Sequence, residues 1–255
     1  ILVDFNGDGR EDILKSREGD SPQKEAYLNT GNGWKDVSSM WVVPTFFVRS
    51  VANGNYEFGA RFLDVNNDGL VDIVKGSTYG SEGQTSWLNN GSGWVSAPEW
   101  ISPMLFTSVS KPDHGIRFAD VNGDGLVDIL QDFADATSNE NGAWLNNGSG
   151  WVRNDYWISP EHFTSSGKNI GRRIGDINGD GFADIVVGYN DGSDKKYTPA
   201  RNATIPYLLK NITNEFGGLT YLEYEKSTIY NNTGNDSVSD IGFNIWVVKA
   251  FYQNN

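Results

Sequence analysis

Asp120-Val121-Asn122-Gly123-Asp124-Gly125-Leu126-Val127-Asp128 is one of four copies of a single pattern, the others running Asp4 to Asp12, Asp64 to Asp72 and Asp176 to Asp184. All read D-x-N-x-D-G-x-x-D, with starts 60, 56 and 56 residues apart. Side chains at positions one, three, five and nine put three carboxylates and one amide oxygen around a point. The carbonyl of position seven adds an oxygen, and the glycine at six permits the sharp turn. A hard cation that takes six to eight oxygens finds most of them in such a loop. The expected ligands are Asp4, Asn6, Asp8 and Asp12 with the Arg10 carbonyl, and Asp64, Asn66, Asp68 and Asp72 with that of Leu70. The third set is Asp120, Asn122, Asp124 and Asp128 with Leu126, the fourth Asp176, Asn178, Asp180 and Asp184 with Phe182. Up to four Ca2+ ions are expected, one per loop.

An EF-hand is excluded. Its position twelve needs a bidentate glutamate, and here that place holds Lys15, Lys75, Gln131 and Val187. The flanks are short and β-branched rather than long amphipathic helices. A polar turn that tolerates left-handed backbone would account for one copy, but not for four that all keep the ninth Asp.

The 255 residues carry a net charge of −13, from 33 acidic and 20 basic side chains, and twelve of the acids sit in the four loops. Outside the loops the chain is close to neutral, so its acidity belongs to metal sites rather than to a general surface. No basic stripe exists to neutralise phosphates, which argues against nucleic acid. Cysteine is absent, so neither disulfides nor a thiolate site is available. No apolar run is long enough for a membrane span. Weak calcium loops fill in millimolar Ca2+, which points to an extracellular or cell-surface setting. The chain opens directly on Ile1-Leu2-Val3 without an initiating Met and is expected to be a piece of something longer.

The repeat is larger than its loop. A second block recurs as Tyr27-Leu28-Asn29-Thr30-Gly31-Asn32-Gly33-Trp34, Trp87 to Trp94 and Trp144 to Trp151, and a third as Trp41-Val42-Val43-Pro44, Trp100 to Pro103 and Trp157 to Pro160. Each unit therefore reads strand, acidic loop, strand, variable loop, strand, Asn-Gly turn, strand, Trp-x-x-Pro connector. Four short antiparallel strands per unit predict one blade of a β-propeller, and hence an all-β fold with four visible blades, part of a larger ring. Helical solenoids and nonapeptide β-helices have the wrong period. Repeated tryptophans at one structural position predict blade-to-blade packing rather than a sugar platform. Contacts to partners are expected instead from the variable stretches 16–24, 77–84 and 132–141.

Beyond Tyr197 the second block does not return. Residues 198–255 contain a Gly217-Gly218 hairpin and a strand at Ile245-Trp246-Val247-Val248, either completing the fourth blade or starting another β-layer, with a polar loop at 231–240. His114 and His162 lie in connectors without a nucleophile-elbow pattern and are expected at the surface. No catalytic constellation is visible, and the chain is not expected to be an enzyme.

The acidic loops within β repeats of this length resemble the FG-GAP or VCBS-type repeats of integrin α-subunit propellers and bacterial surface proteins, over residues 1–197. The resemblance implies a propeller and calcium, and no particular function. Integrin-type loops often carry Asp where all four copies here have Asn, which implies a slightly weaker site. The segment Leu208-Leu209-x-Asn211-Ile212 through Gly217-Gly218-x-Thr220-x-x-Glu223-Tyr224 to Trp246-Val247-Val248 is similar to the one that follows such repeats in Rhs/YD-repeat proteins and the B component of Tc-type toxins. There a propeller sits beside a β-shell and docks a partner subunit. The expected function is a calcium-stabilised scaffold and docking module of a large secreted protein, its partner another protein or the rest of its own chain. A stand-alone adhesin or lectin that binds a glycan through its loops is the alternative.

Overall fold

The structure, a computed structural model, describes residues 1–51, 54–77, 83–135, 139–177, 182–188, 195–197, 208–230 and 246–254. Strands lie where apolar residues flank the acidic loops. Along Asp12–Glu18 the side chains of Asp12, Leu14 and Ser16 are buried, with Lys15 exposed among them, the alternation of a half-buried strand. Leu2–Val3 and Asp12–Glu18 pair antiparallel across the first loop, Gln23–Asn29 follows, and Trp34–Asp36 closes the blade through the Asn-Gly turn. At that turn Thr30 N donates to Gly33 O at 2.9 Å, and Gly31 sits at φ 78°, where a β-carbon would be strained.

The second blade repeats this order with Ala60–Leu63, Asp72–Lys75, Thr85–Asn89 and Trp94–Ser96. The third has Ile116–Ala119, Asp128–Ala134, Asn139–Asn146 and Trp151–Arg153. The connectors add something that the sequence does not announce. In the first repeat Val48–Val51 joins the sheet parallel to Asp12–Glu18 and turns into Gly54–Glu57; in the third, Thr164–Ser165 does the same against Asp128–Ala134 and pairs with Lys168–Asn169. The second keeps only a bridge, Ser77 to Thr107. Arg17, Ser77 and Phe133, which open these three contacts, each lie thirteen residues after the first Asp of their loop.

The chain divides into two compact units, Ile1–Ala119 with Gly125–Arg172, and Asp120–Asp124 with Arg173–Asn255. In the first, successive blades share cores. Leu14, Ala26, Trp41 and Phe47 pack with Ile73, Phe62, Trp87 and Trp94; Val74, Trp100 and Phe106 pack with Ile129, Phe118, Trp144 and Trp151. Each blade thus buries its face against the next, as repeat architectures require.

In the second unit Arg172–Gly175, Asp184–Val187 and Lys195–Tyr197 form a three-stranded sheet among the described residues. Among the described residues the Gly217 hairpin does not pair with it. Asn211–Thr213, Leu219–Lys226 and Trp246–Asn254 make a sheet of their own, with a register shift at Glu223/Tyr224. The turn at 190–194 and the loop at 231–240 lie outside the described residues. No helix among those described is long and apolar enough to cross a membrane.

Candidate metal centre

Each acidic loop is held by its own side chains. In the first, Gly7 N and Asp8 N donate to Asp4 Oδ1 (2.8 and 3.2 Å), Gly9 N to Asp4 Oδ2 (2.7 Å), Asp8 N to Asn6 Oδ1 (3.0 Å) and Arg10 N to Asp8 Oδ1 (2.9 Å). The second repeats four of these: Asp64 accepts from Asp68 N and Gly69 N, Asn66 from Asp68 N, and Asp68 from Leu70 N. In the third, Asp120 accepts from Gly123 N and Asp124 N, and Asn122 from Asp124 N. The residue types expected to ligate therefore also fold the loop, because a carboxylate accepting several backbone amides fixes a tight turn. Of the fourth set, Asn178 and Asp180 lie outside the described residues.

The ninth-position acids are all fully buried: Asp12, Asp72, Asp128 and Asp184 each show 0% exposure. Their Oδ1 atoms in the first three repeats accept the backbone N–H of Asn29, Asn89 and Asn146 at 2.8 Å, tying the loop to the far end of the third strand. Asp72 Oδ2 also accepts from Val65 N (3.0 Å) and Asp184 Oδ2 from Ile177 N (3.1 Å). In the first loop the Phe5 amide lies near Asp12 without closing a sound hydrogen bond, and the buried Asp12 Oδ2 has no hydrogen-bond partner. Burial pushes the Asp72 carboxyl up to about 6; the amides of Asn89 and Val65 pull against it, and Asp68 and Asp64 add repulsion. Asp12 is raised for the same reasons, with Asp8 and Asp4 as its repelling neighbours.

An orphaned carboxylate oxygen and three mutually repelling acids in an all-oxygen set fit a hard divalent cation. Among the described residues no group of three or more His, Asp or Glu side chains is gathered as a ready-made cluster, since the loop acids turn to backbone amides. Position seven differs among copies. Arg10 Nη1 lies 3.4 Å from Asp8 Oδ2 and partly neutralises its own loop, whereas Leu70 carries no charge.

Position seven also packs, a role that its carbonyl alone does not suggest. A methyl at Gly7 would come within 2.9 Å of Leu70 Cδ2, so the second loop rests on the first. In the second unit a methyl at Gly123 would run into the Phe182 ring, and Ala183 N donates to Asp120 O at 3.2 Å. The hairpin asparagines complete the tie between blades. Asn89 Nδ2 reaches back to Phe5 O (2.7 Å) and Asn146 Nδ2 to Val65 O (2.8 Å), both carbonyls at position two of the preceding loop.

Tryptophans pack across the same boundaries. Trp41 meets Trp94 edge-on at 5.9 Å and Trp100 meets Trp151 at 5.6 Å, with Trp151 Nε1 donating to Trp100 O. A recurrence overlooked in the sequence stands six residues after each connector tryptophan: Phe47, Phe106 and Phe163, all buried. Phe47 and Phe106 meet Phe62 and Phe118 of the next blade at 5.1 and 5.3 Å. The spacing Trp-x-x-Pro-x-x-Phe was the available signal.

The histidines separate. His114 is not at the surface as expected: it is 8% exposed, its Nε2 3.0 Å from Ser108 Oγ, and burial lowers its pKa. Asp113, the adjacent acid, is bound by Arg117 and Gly115 N. His162 keeps a half-exposed ring, with Nδ1 2.5 Å from the buried Asp132 Oδ1. No nucleophile is hydrogen-bonded to it among the described residues. Of the variable stretches, residues 78–82 and 136–138 lie outside the described residues.

Residues 160–251 match the insecticide toxin TcdB middle/N-terminal region. Among solved structures, an Agrocybe aegerita lectin described as specifically recognising non-reducing terminal N-acetylglucosamine is 21% identical, with a TM-score of 0.48, covering 73% of this chain and 46% of its own. Two structures of TcdB2–TccC3 assemblies are 17% and 16% identical with TM-scores of 0.48 and 0.49, each covering 100% of this chain and 14% of that chain. The chain thus spans less than half of the lectin and a small part of the toxin chain. No curated protein matches it by sequence. Residues 4–75 and 64–131 each match the FG-GAP-like repeat, together spanning half of the chain and three of the four loops, and the chain therefore belongs to the family of FG-GAP-like repeat proteins.

Proposed function

We propose that this chain is a non-enzymatic scaffold and docking module of a large secreted, toxin-like protein, its blades braced by one Ca2+ in each acidic loop. Support for the toxin context comes from residues 160–251, whose match runs from the connector of the third repeat through the fourth repeat to the tail sheet, where the blade pattern ends. Support for a scaffold comes from the use of the repeated polar and aromatic groups. Asn89, Asn146, Trp94 and Trp151 are engaged in joining blades, and among the described residues neither histidine sits in a catalytic arrangement. The partner is another protein or the rest of the same polypeptide.

The observation that carries the calcium reading is the fully buried ninth acid, raised by burial and by the two other acids of its loop. Asp64, Asn66, Asp68, Asp72 and the Leu70 carbonyl would hold the ion in the second loop, and the matching residues would do so elsewhere. The ion supplies positive charge that cancels the mutual repulsion of three carboxylates. Loops of extracellular modules bind in the range of about 10⁻⁴–10⁻³ M, so 1 mM Ca2+ stabilises by about 0.4–1.4 kcal/mol per filled site. Thermal melts in excess EDTA and in millimolar Ca2+ test this. A higher melting temperature with Ca2+, not reproduced by equal ionic strength of NaCl, is expected; superimposed melts refute the calcium brace.

A further inference from the structure

Eight Asn-Gly pairs occur in the chain; six lie wholly within the described residues, and those at 53 and 178 do not. Glycine carries no side chain, so its backbone nitrogen can approach the carboxamide carbon of the asparagine before it. Whether it does so depends on what holds the two groups. In the acidic loops Gly7 N donates to Asp4 Oδ1 (2.8 Å) and Gly123 N to Asp120 Oδ1 (2.6 Å). In the second and third hairpin turns Gly91 N donates to Asn89 Oδ1 (2.9 Å) and Gly148 N to Asn146 Oδ1 (2.8 Å). Gly142 lies within a paired strand, opposite Gln131.

The asparagine side chains of these turns are engaged as well. Asn6 and Asn122 Oδ1 accept Asp8 N and Asp124 N, while Asn90 and Asn147 Oδ1 accept both the amide and the hydroxyl of Ser92 and Ser149. The first hairpin departs from this pattern. Thr30 stands where the others have Asn90 and Asn147, and Asn32 where they have Ser92 and Ser149. Thr30 Oγ1 turns to Gly33 O at 3.0 Å, and neither the Asn32 side chain nor Gly33 N makes a hydrogen bond among the described residues. Both residues are exposed, and no atom stands within 4 Å of where a Gly33 β-carbon would be. Ser92 and Ser149 are exposed too, although a blade packs ahead of each, so the exposure belongs to the turn tip and not to the first blade.

We propose that Asn32 is a site of spontaneous deamidation in the folded protein, the preferred one among the described Asn-Gly pairs. Gly33 N gives its proton to hydroxide and attacks Asn32 Cγ; the N–Cγ bond forms, the Cγ–Nδ2 bond breaks, and the departing nitrogen takes a proton from water and leaves as ammonia. The product is a succinimide ring. Water then adds to one of its two carbonyls. Opening at Cγ gives an aspartate at position 32, and opening at the main-chain carbonyl gives the iso linkage, in which the backbone runs through Cβ and Cγ. The iso linkage adds one carbon to the main chain of a turn that Thr30 N and Gly33 O close at 2.9 Å and that sets Asn29 opposite Trp34. Each hydrogen bond that must open before the attack slows it by up to about ten-fold, which holds back the pairs at Asn6, Asn90, Asn122 and Asn147. The proposal rests neither on calcium nor on the docking-module reading, because Asn32, Asn90 and Asn147 all lie outside the acidic loops.

The test is a peptide map of the full chain held in mildly alkaline buffer and sampled over time by mass spectrometry, beside the same protein in urea. In the folded chain the Asn32 peptide exchanges its amide NH2 for OH and yields two separable products, one of which is labelled by an isoaspartyl methyltransferase. It does so about ten times faster, or more, than the peptides of Asn6, Asn90, Asn122 and Asn147. In urea, where every pair is released, the rates converge. Asn32→Ser, which restores the residue of the other two turns, removes the products and keeps the melting temperature of the parent. Two results overturn the proposal. One is an Asn32 peptide that stays intact in the folded chain while it reacts in urea, which would show that the turn holds the carboxamide away from Gly33 N. The other is a folded-state rate at Asn32 no faster than at Asn90 and Asn147, which would assign the reaction to opening of the chain as a whole. The comparison within the parent needs no substitution, so it decides the matter even where Asn32→Ser folds poorly.

Discussion

Asn146→Ala and Asn29→Ala remove the same side chain from equivalent turns, yet the structure assigns them different costs. Asn146 is 2% exposed; its Nδ2 donates to Val65 O across the blade boundary, and its Oδ1 accepts Gly148 N, each at 2.8 Å. Truncation leaves the Val65 carbonyl without this donor at a residue only 1% exposed, a penalty of about 1–3 kcal/mol, while the exposed Gly148 amide turns to water at little cost. Asn29 loses the matching bond to Gly31 N and one to Glu11 O, both at exposed residues, for about 0.5 kcal/mol. The gap of about 1.5 kcal/mol corresponds to about 3–6 °C in a chain of this size. Calorimetric melts of both variants and the parent in the same Ca2+ buffer measure it. Equal losses would show that the turn itself, common to both sites, carries the energy, and that the tie between blades contributes nothing.

The tryptophans separate on the same principle. Trp100→Ala, at 3% exposure and edge-on to Trp151, is expected to cost about 3–5 kcal/mol, and Trp34→Ala about 1 kcal/mol or less, both read by urea denaturation. Acid should act through His114. Its folded pKa is depressed by burial, so the unfolded chain binds the proton first. The stability this residue contributes is present above the ordinary histidine value near 6.5 and is lost as pH falls through it towards the folded value, at no more than about 1.4 kcal/mol per pH unit. His114→Gln should flatten the difference in stability between pH 7 and pH 5; an unchanged profile would rule the residue out.

The sequence by itself determined the period, the order of strands in each blade and the acidic loops, because these are local properties. A D-x-N-x-D-G turn closes on its own backbone amides within five residues, and the Asn-Gly hairpin within four. The packing of the recurring tryptophans was legible for a related reason: a large side chain that repeats once per unit must meet its counterpart in the next. Other features depended on chain segments far apart in sequence. Asn89 finds Phe5 across 84 residues and Asn146 finds Val65 across 81, although in sequence both look like ordinary turn residues. Leu70 counted only for its carbonyl until the neighbouring loop brought Gly7 beneath it. The Val48–Val51 strand pairs parallel with Asp12–Glu18, a partner that no turn signal between them specifies. His114, outwardly a polar connector residue, is buried beside Ser108 and Phe133. Position within a repeat dictates what a residue needs, but only the stacking of one blade on the next decides whether that need is met, which is why Trp94 and Trp151 are packed while Trp34 stands exposed.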